Sequence, residues 1–373
     1  MISELQMVNF KCFEDQTLSL APLTLLSGLN STGKSTVLQA LLLLRQSFQD
    51  GALVKGWLSL NGELVEIGTA KDALNEWARD EQIGLRLDFT SGASVSFVFA
   101  YDPSSTVLST VSEGAPADTF NESLFSNEFH YIEAERLGPR TSVEMNDYYV
   151  RQRRQLGSAG EYALHYLSLF GSQPVHEKLR HPGTNSPTLS EQVEAWMGEI
   201  SPGLRLHYTA HPTMDLVNLG VSFSGKGEIT SSEYRATNVG FGIAYSLPVV
   251  VALLSAAPNF LVLLENPEAH VHPRGQVKLA ELAGRAASAG IQVLIESHSD
   301  HFLNGIRLAV HDGLLLPDAV QLHYFTRRSA GRDSRILVTS PRVDRNGRLD
   351  VWPEGFFDEF ERALERLMQP VTV

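Results

Sequence analysis

Gly28-Leu-Asn-Ser-Thr-Gly33-Lys34-Ser35 lies between an apolar run, Leu23-Thr-Leu-Leu-Ser27, and a Leu-rich stretch from Thr36 to Phe48. It fits G-x-x-x-x-G-K-[ST] in full, in the order strand, glycine turn, helix that the pattern requires. Phosphates carry dense negative charge, and the glycines let successive backbone N–H groups turn inward around them. The helix that follows Gly33 adds the positive end of its dipole. Lys34 is expected to reach the β- and γ-phosphates of ATP, and the Ser35 hydroxyl to ligate Mg²⁺. The expected nucleotide binders are Gly28, Asn30, Ser31, Thr32, Gly33, Lys34, Ser35 and Thr36.

Two later runs fit the same fold. Phe260-Leu-Val-Leu-Leu264 ends in Glu265-Asn266-Pro267-Glu268, and Ile291-Gln-Val-Leu-Ile295 ends in Glu-Ser-His298-Ser299. Short continuous apolar runs read as strands of a parallel sheet buried on both faces. Ligands of such sheets bind at the carboxyl edge. Glu265 is therefore expected opposite Ser35 at the metal, and His298 near the γ-phosphate. His270, His272, His298 and His301 also invite a zinc reading, but no carboxylate-rich cluster accompanies them, and loop packing and phosphate contact explain them better.

The rest of the chain organises around these runs. Ile83, Leu85, Leu87 and Phe89 alternate with polar residues, as do Val95, Phe97 and Phe99, with Ser91-Gly92 as the hairpin turn between them. Residues 102–128 are rich in Ser, Pro, Asp and Glu and read as a loop. Ser158-x-x-Glu161 and Thr188-x-x-Glu191 read as capping boxes that open two helices. Residues 203–225 alternate as strands. A block of helix 240–255, strand 260–264, helix 274–289, strand 291–295, helix 301–310 and strand 320–325 follows. Asn346-Gly347 then reads as a turn between strands, and Phe357, Phe360, Leu364 and Leu367 line one face of a last helix. The α/β stretches at both ends must share one sheet. The expected division is a core of 1–101 and 236–325, an inserted helical and strand lobe of 102–235, and a small α+β cap of 326–373.

The 373 residues carry a formal charge of −13, which argues against a broadly basic surface that coats nucleic acid. Arg151-Gln-Arg-Arg154 is the only compact basic strip and reads as a solvated face. Cys12 stands alone, so neither a disulfide framework nor a cysteine zinc site is available, and a reducing cytoplasm is the expected setting. No secretion signal is visible at Met1. The uncharged stretch Gly242–Leu264 is long enough for a bilayer, but Pro248, Pro258 and Asn259 interrupt it, and it reads as a buried helix and strand rather than a membrane span.

Asn9-Phe10-Lys11-Cys12-Phe13, the run Glu265-Asn-Pro-Glu-Ala-His-Val-His-Pro273 and Glu296-Ser-His-Ser299 resemble the AAA/ABC-type ATPases of the overcoming-lysogenization-defect and SMC/recombination class. Val239-Gly-Phe-Gly242 resembles this class's counterpart of the ABC signature. Asp350-Val-Trp-Pro-Glu-Gly-Phe-Phe-Asp358 resembles an uncharacterised C-terminal domain of one branch. The resemblance implies an α/β ABC-ATPase head with a mixed, largely parallel P-loop sheet. It also implies a homodimer in which Gly240 and Gly242 of one subunit close over ATP held by the other. An effector protein or DNA is the implied partner, in phage defence or DNA maintenance. The Leu-Ser-Gly-Gly-Gln signature of transporter ATPases is absent. Relatives fuse a nuclease domain after the ATPase, whereas few residues and no second acidic cluster follow strand 320–325 here. Relatives read Asp-Glu-Pro where this chain reads Glu265-Asn266-Pro267. An amide at Asn266 cannot accept the proton of an attacking water, so either Glu268 does so or hydrolysis is slow. No glutamine-loop residue is assignable.

Overall fold

Six strands form the sheet on which the glycine loop sits. In spatial order they are Asp333–Thr339, Val320–Ala330, Leu23–Gly28, Gln292–Glu296, Leu261–Glu265 and Phe129–Ile132, all parallel except the first. The computed structural model describes residues 1–112, 115–225, 230–330, 333–357 and 359–369; Asp358 and the Phe360 side chain, named above, lie outside the described residues. The loop strand joins the later α/β block between Gln292–Glu296 and Val320–Ala330, as the two halves of the sequence require.

Alternation along each strand divides the core into two layers. Leu26, Leu261, Leu263 and Leu294 face the helix Lys34–Gln49 and the antiparallel sheet that contains Ile2–Phe10, Phe13–Ser19, Gln82–Phe89 and Ser94–Ala100. Leu25, Val262, Leu264, Val293 and Ile295 face the helices Phe241–Ser255, Pro273–Ser288 and Asp300–His311. Pro248 does not end the first of these helices, which runs through it to Ser255 and is buried along most of its length. No described helix is long and apolar enough to cross a membrane.

Several boundaries differ from the sequence reading. Phe129–Ile132 falls in the stretch assigned to the insert, yet it pairs in parallel with Leu261–Leu264 and belongs to the core sheet. Four buried residues without alternation leave no pattern to read. At the other end, the strand expected to stop at 325 continues to Ala330 and pairs with Asp333–Thr339, so the sheet extends into the expected cap. Neither capping box forms. Ser158 Oγ bonds Glu133 instead, two left-handed glycines, Gly157 and Gly160, carry the chain onward, and the helix begins only at Ala163. Thr188 does start its helix, Leu189–Ile200, but without a side-chain cap. The Asn346-Gly347 turn exists between an isolated bridge, Val343 to Leu349, rather than between strands.

Candidate nucleotide site

The loop strand must turn sharply at Gly28, whose φ is +139°, and a Cβ there would lie 2.1 Å from the Phe325 carbonyl oxygen. Only glycine fits. Gly33, at φ +96°, packs on Cys12 and Phe13 in the same way. Thr32 Oγ1 donates to the Leu29 carbonyl at 2.6 Å, and Arg327 donates to the Ser31 carbonyl at 2.9 Å, so the loop is braced from within and from the neighbouring strand. Lys34 is buried, and its ammonium donates to the carbonyls of Gly28 and Leu29 at 3.1 and 2.6 Å. Burial holds its pKa below the usual range, with the Glu296 charge acting the other way. Thr36 is buried beneath the loop against Cys12, while Asn30, Ser31 and Ser35 are exposed.

Two glutamates end neighbouring strands in register, Glu265 beside Glu296. The Ser35 hydroxyl donates to Glu296 Oε1 at 3.0 Å. Glu265 instead accepts from the Tyr131 hydroxyl at 3.0 Å and from the Ala134 amide at 3.3 Å. Sequence reasoning set Glu265 opposite Ser35 and passed over Glu296, although the signal, a second apolar strand that ends in an acid, was the same. Glu268 Oε1 accepts from the His298 amide at 2.8 Å. The second oxygens of Glu268 and Glu296, and the Asn266 amide oxygen, are buried without a hydrogen-bond partner among the described residues. Burial raises the pKa of Glu265, Glu268 and Glu296, the last to about 7, with Glu265 and Glu268 adding to the rise there and Ser35 and Lys34 opposing it. His298 stands exposed near Gly28 and Lys34; desolvation and then the Lys34 charge lower its pKa.

Three crowded carboxyls, two of them with an orphaned oxygen among the described residues, beside a lysine that donates to loop carbonyls, fit a polyanion held together with a divalent cation. A cavity of about 540 Å³ adjoins the outer side of the loop, lined by Cys12, Phe13, Trp77, Arg79 and Arg335 among others. It touches the loop through the Cys12 and Phe13 side chains packed on Gly33.

The Gly240–Gly242 turn sits elsewhere on this edge, at the start of the helix Phe241–Ser255, beside His270 and a cavity of about 410 Å³. Gly242 packs on the His270 carbonyl, 2.7 Å from where a Cβ would be, whereas Gly240 has open space. The histidine-rich segment packs the loop: the His270 ring lies 4.7 Å from Tyr245, and His272 caps the helix Pro273–Ser288. The Arg151–Arg154 strip is spent locally, with Arg151 paired to Asp147, Arg153 over Tyr148 and Arg154 over Phe170.

The six-stranded sheet, the Gly28–Ser35 loop and the helix behind it have the architecture of a P-loop ATPase head. A family profile described as an AAA ATPase domain matches residues 1–152, and an AAA domain profile whose description mentions the AbiEii toxin of a type IV TA system matches residues 220–304. A protein family of unknown function, DUF3696, matches residues 315–367. The OLD nuclease of Thermus scotoductus is 24% identical over 94% of this chain and 66% of its own length, so the chain spans just under two thirds of that relative. An Smc head bound to the C-winged helix domain of ScpA superposes with a TM-score of 0.56 at 13% identity, over 91% of this chain and 97% of that one. An Smc head with an extended coiled coil, bound to the C-terminal domain of ScpA and derived from Pyrococcus furiosus, gives 0.51 at 11% identity over 99% of each. The chain is thus similar to AAA ATPase domains over residues 1–152 and 220–304 and to an OLD nuclease along most of its length, on a fold shared with Smc heads.

Proposed function

We propose that the chain is an ATP-driven switch that closes as a homodimer around nucleotide. In this reading Gly28–Ser35 holds the phosphates, and the cavity beside Trp77 takes the nucleoside. Each Gly240–Gly242 turn completes the partner copy's site. The observation that carries the reading is the convergence of Lys34, Ser35, Glu265, Glu268, Glu296 and His298 on one sheet edge. Mg²⁺ would be held by Ser35 with Glu265 and Glu296 behind it, and when bound it supplies positive charge at the phosphates. Lys34 leaves its loop carbonyls for phosphate oxygens, a gain because charge-assisted bonds are the stronger kind. Glu268 has one oxygen tied to His298 N and a second without a hydrogen-bond partner among the described residues, which suits it to take a proton from water. Asn266 cannot do so, which leaves the role to Glu268. The likeness to an OLD nuclease supports a part in a DNA transaction, and on the motif resemblance the switch controls an effector protein or DNA in the cytoplasm, with phage defence as the setting.

Light scattering with and without Mg²⁺ and ATP tests the dimer. The mass should double with ATP, and Gly240→Asp, which places an anion in open space on the closing face, should abolish the rise while leaving ATP affinity in place. Gly242→Asp is unsuited to the purpose, because its side chain would strike the His270 carbonyl. An unchanged mass in the wild-type protein at saturating ATP would remove the dimer from the reading.

A further inference from the structure

Arg136 follows the strand Phe129–Ile132 and is almost wholly buried. Its Nε donates to the Glu133 carbonyl at 3.0 Å and its Nη1 to the Tyr245 carbonyl at 3.0 Å. Its Nη2 donates to the Glu265 carbonyl at 2.8 Å and also to the Asn266 carbonyl. One planar fork thus joins three segments distant in sequence: the turn after an edge strand, the acid-bearing end of its neighbour, and the helix that begins at Gly240–Gly242. The guanidinium also faces the Tyr245 ring, 5.4 Å from its centroid. Burial lowers its pKa to about 10, and the nearby Glu268 and Glu265 charges act the other way. All four acceptors are neutral backbone oxygens, so the bonds fix the positions of chain segments.

Asn266 needs such a hold. Its φ is +44°, a left-handed conformation that asparagine tolerates at some cost, and its own side-chain oxygen has no partner among the described residues. A shift of the Glu265–Glu268 segment must therefore either break charge-assisted bonds that water cannot replace or move the Tyr245 carbonyl with it. Tyr245 lies just over one turn into its helix, so the displacement arrives at Gly240–Gly242.

We propose that Arg136 is a positioning residue that couples occupancy of the nucleotide site to the Gly240–Gly242 turn. The coupling rests on ATP binding at Gly28–Ser35 and not on the dimer. Lysine at this position keeps the charge but cannot span the four carbonyls with one ammonium.

Hydrogen exchange of the intact protein, with and without Mg²⁺ and ATP, reads the coupling directly. In the wild type, amides of 240–247 and 264–268 should slow together by about tenfold or more on ATP addition. In Arg136→Lys, 264–268 should still respond while 240–247 does not, with ATP affinity by calorimetry within about threefold of wild type. His270→Ala removes the ring contact with Tyr245 but leaves the fork, and should keep the coupling. Should Arg136→Lys fail to fold, the wild-type pattern still decides: protection confined to 264–268 overturns the proposal. Retention of the joint response in a folded Arg136→Lys protein overturns it equally. A wild type that binds no ATP would instead defeat the nucleotide-site reading, which calorimetry distinguishes.

Discussion

The strands Leu261–Glu265 and Gln292–Glu296 are near twins. Both are apolar, both are five residues long, both end in glutamate, and the two glutamates lie side by side in register. Their carboxylates nonetheless do different things. Glu296 is next to the loop strand and meets Ser35, whereas Glu265 is one strand further out and meets Tyr131 and the Ala134 amide. Position in the sheet therefore decides which acid sees the phosphate loop. A one-strand displacement, roughly 4.8 Å, is enough to exchange a hydroxyl of the loop for a tyrosine of the edge strand.

Four measurements break or sharpen this contrast. The largest effect belongs to Lys34→Ala, because two charge-assisted bonds to phosphate are lost, each worth about 1.5–3 kcal/mol. ATP affinity by calorimetry with Mg²⁺ should fall by about 100-fold or more while the fold persists. A change within threefold would mean that neither glutamate faces a phosphate site at all. Next comes Glu268→Gln, which should slow single-turnover hydrolysis by about 10²-fold or more, with Asn266→Ala nearly silent. If Asn266→Glu accelerates turnover while Glu268→Gln does nothing, the water-activating role leaves Glu268.

A smaller effect separates the twins themselves. Glu296→Gln should raise the Mg²⁺ concentration for half-maximal ATP binding by about tenfold, whereas Tyr131→Phe, which frees Glu265, should shift it by about threefold or less. The opposite order would put the metal on the Glu265 side. The smallest effect concerns the protein without nucleotide or Mg²⁺. Burial raises the folded Glu296 pKa to about 7 from the ordinary 4.5. Between those values the folded chain holds a proton that the unfolded chain has lost, so stability falls as pH rises through this window. Histidines whose pKa burial lowers act in the opposite sense over the same window, so the Glu296 contribution, a few degrees of melting temperature between about pH 5 and pH 7, is read as the difference from Glu296→Gln. Glu296→Gln, which never ionises, should make the pH slope of stability more positive than in the wild type, and an unchanged slope would shift the effect to Glu265 or Glu268.

What the sequence by itself determined was local. The Gly28–Ser35 pattern needs only consecutive residues, and the helix Lys34–Gln49 and the strands that end in Glu265 and Glu296 follow from runs of side chains within one element. The strand Phe129–Ile132 was not legible, because four buried residues have no period. Neither was the failure of the Ser158 and Thr188 boxes, whose side-chain bonds compete with more distant partners such as Glu133. The pairing of Ser35 with Glu296 rather than Glu265, and the Arg136 fork across Glu133, Tyr245, Glu265 and Asn266, were decided only by tertiary structure. Strand order in a sheet is fixed by packing on both faces, and a guanidinium that bonds backbone carbonyls recognises positions in space, not residue types.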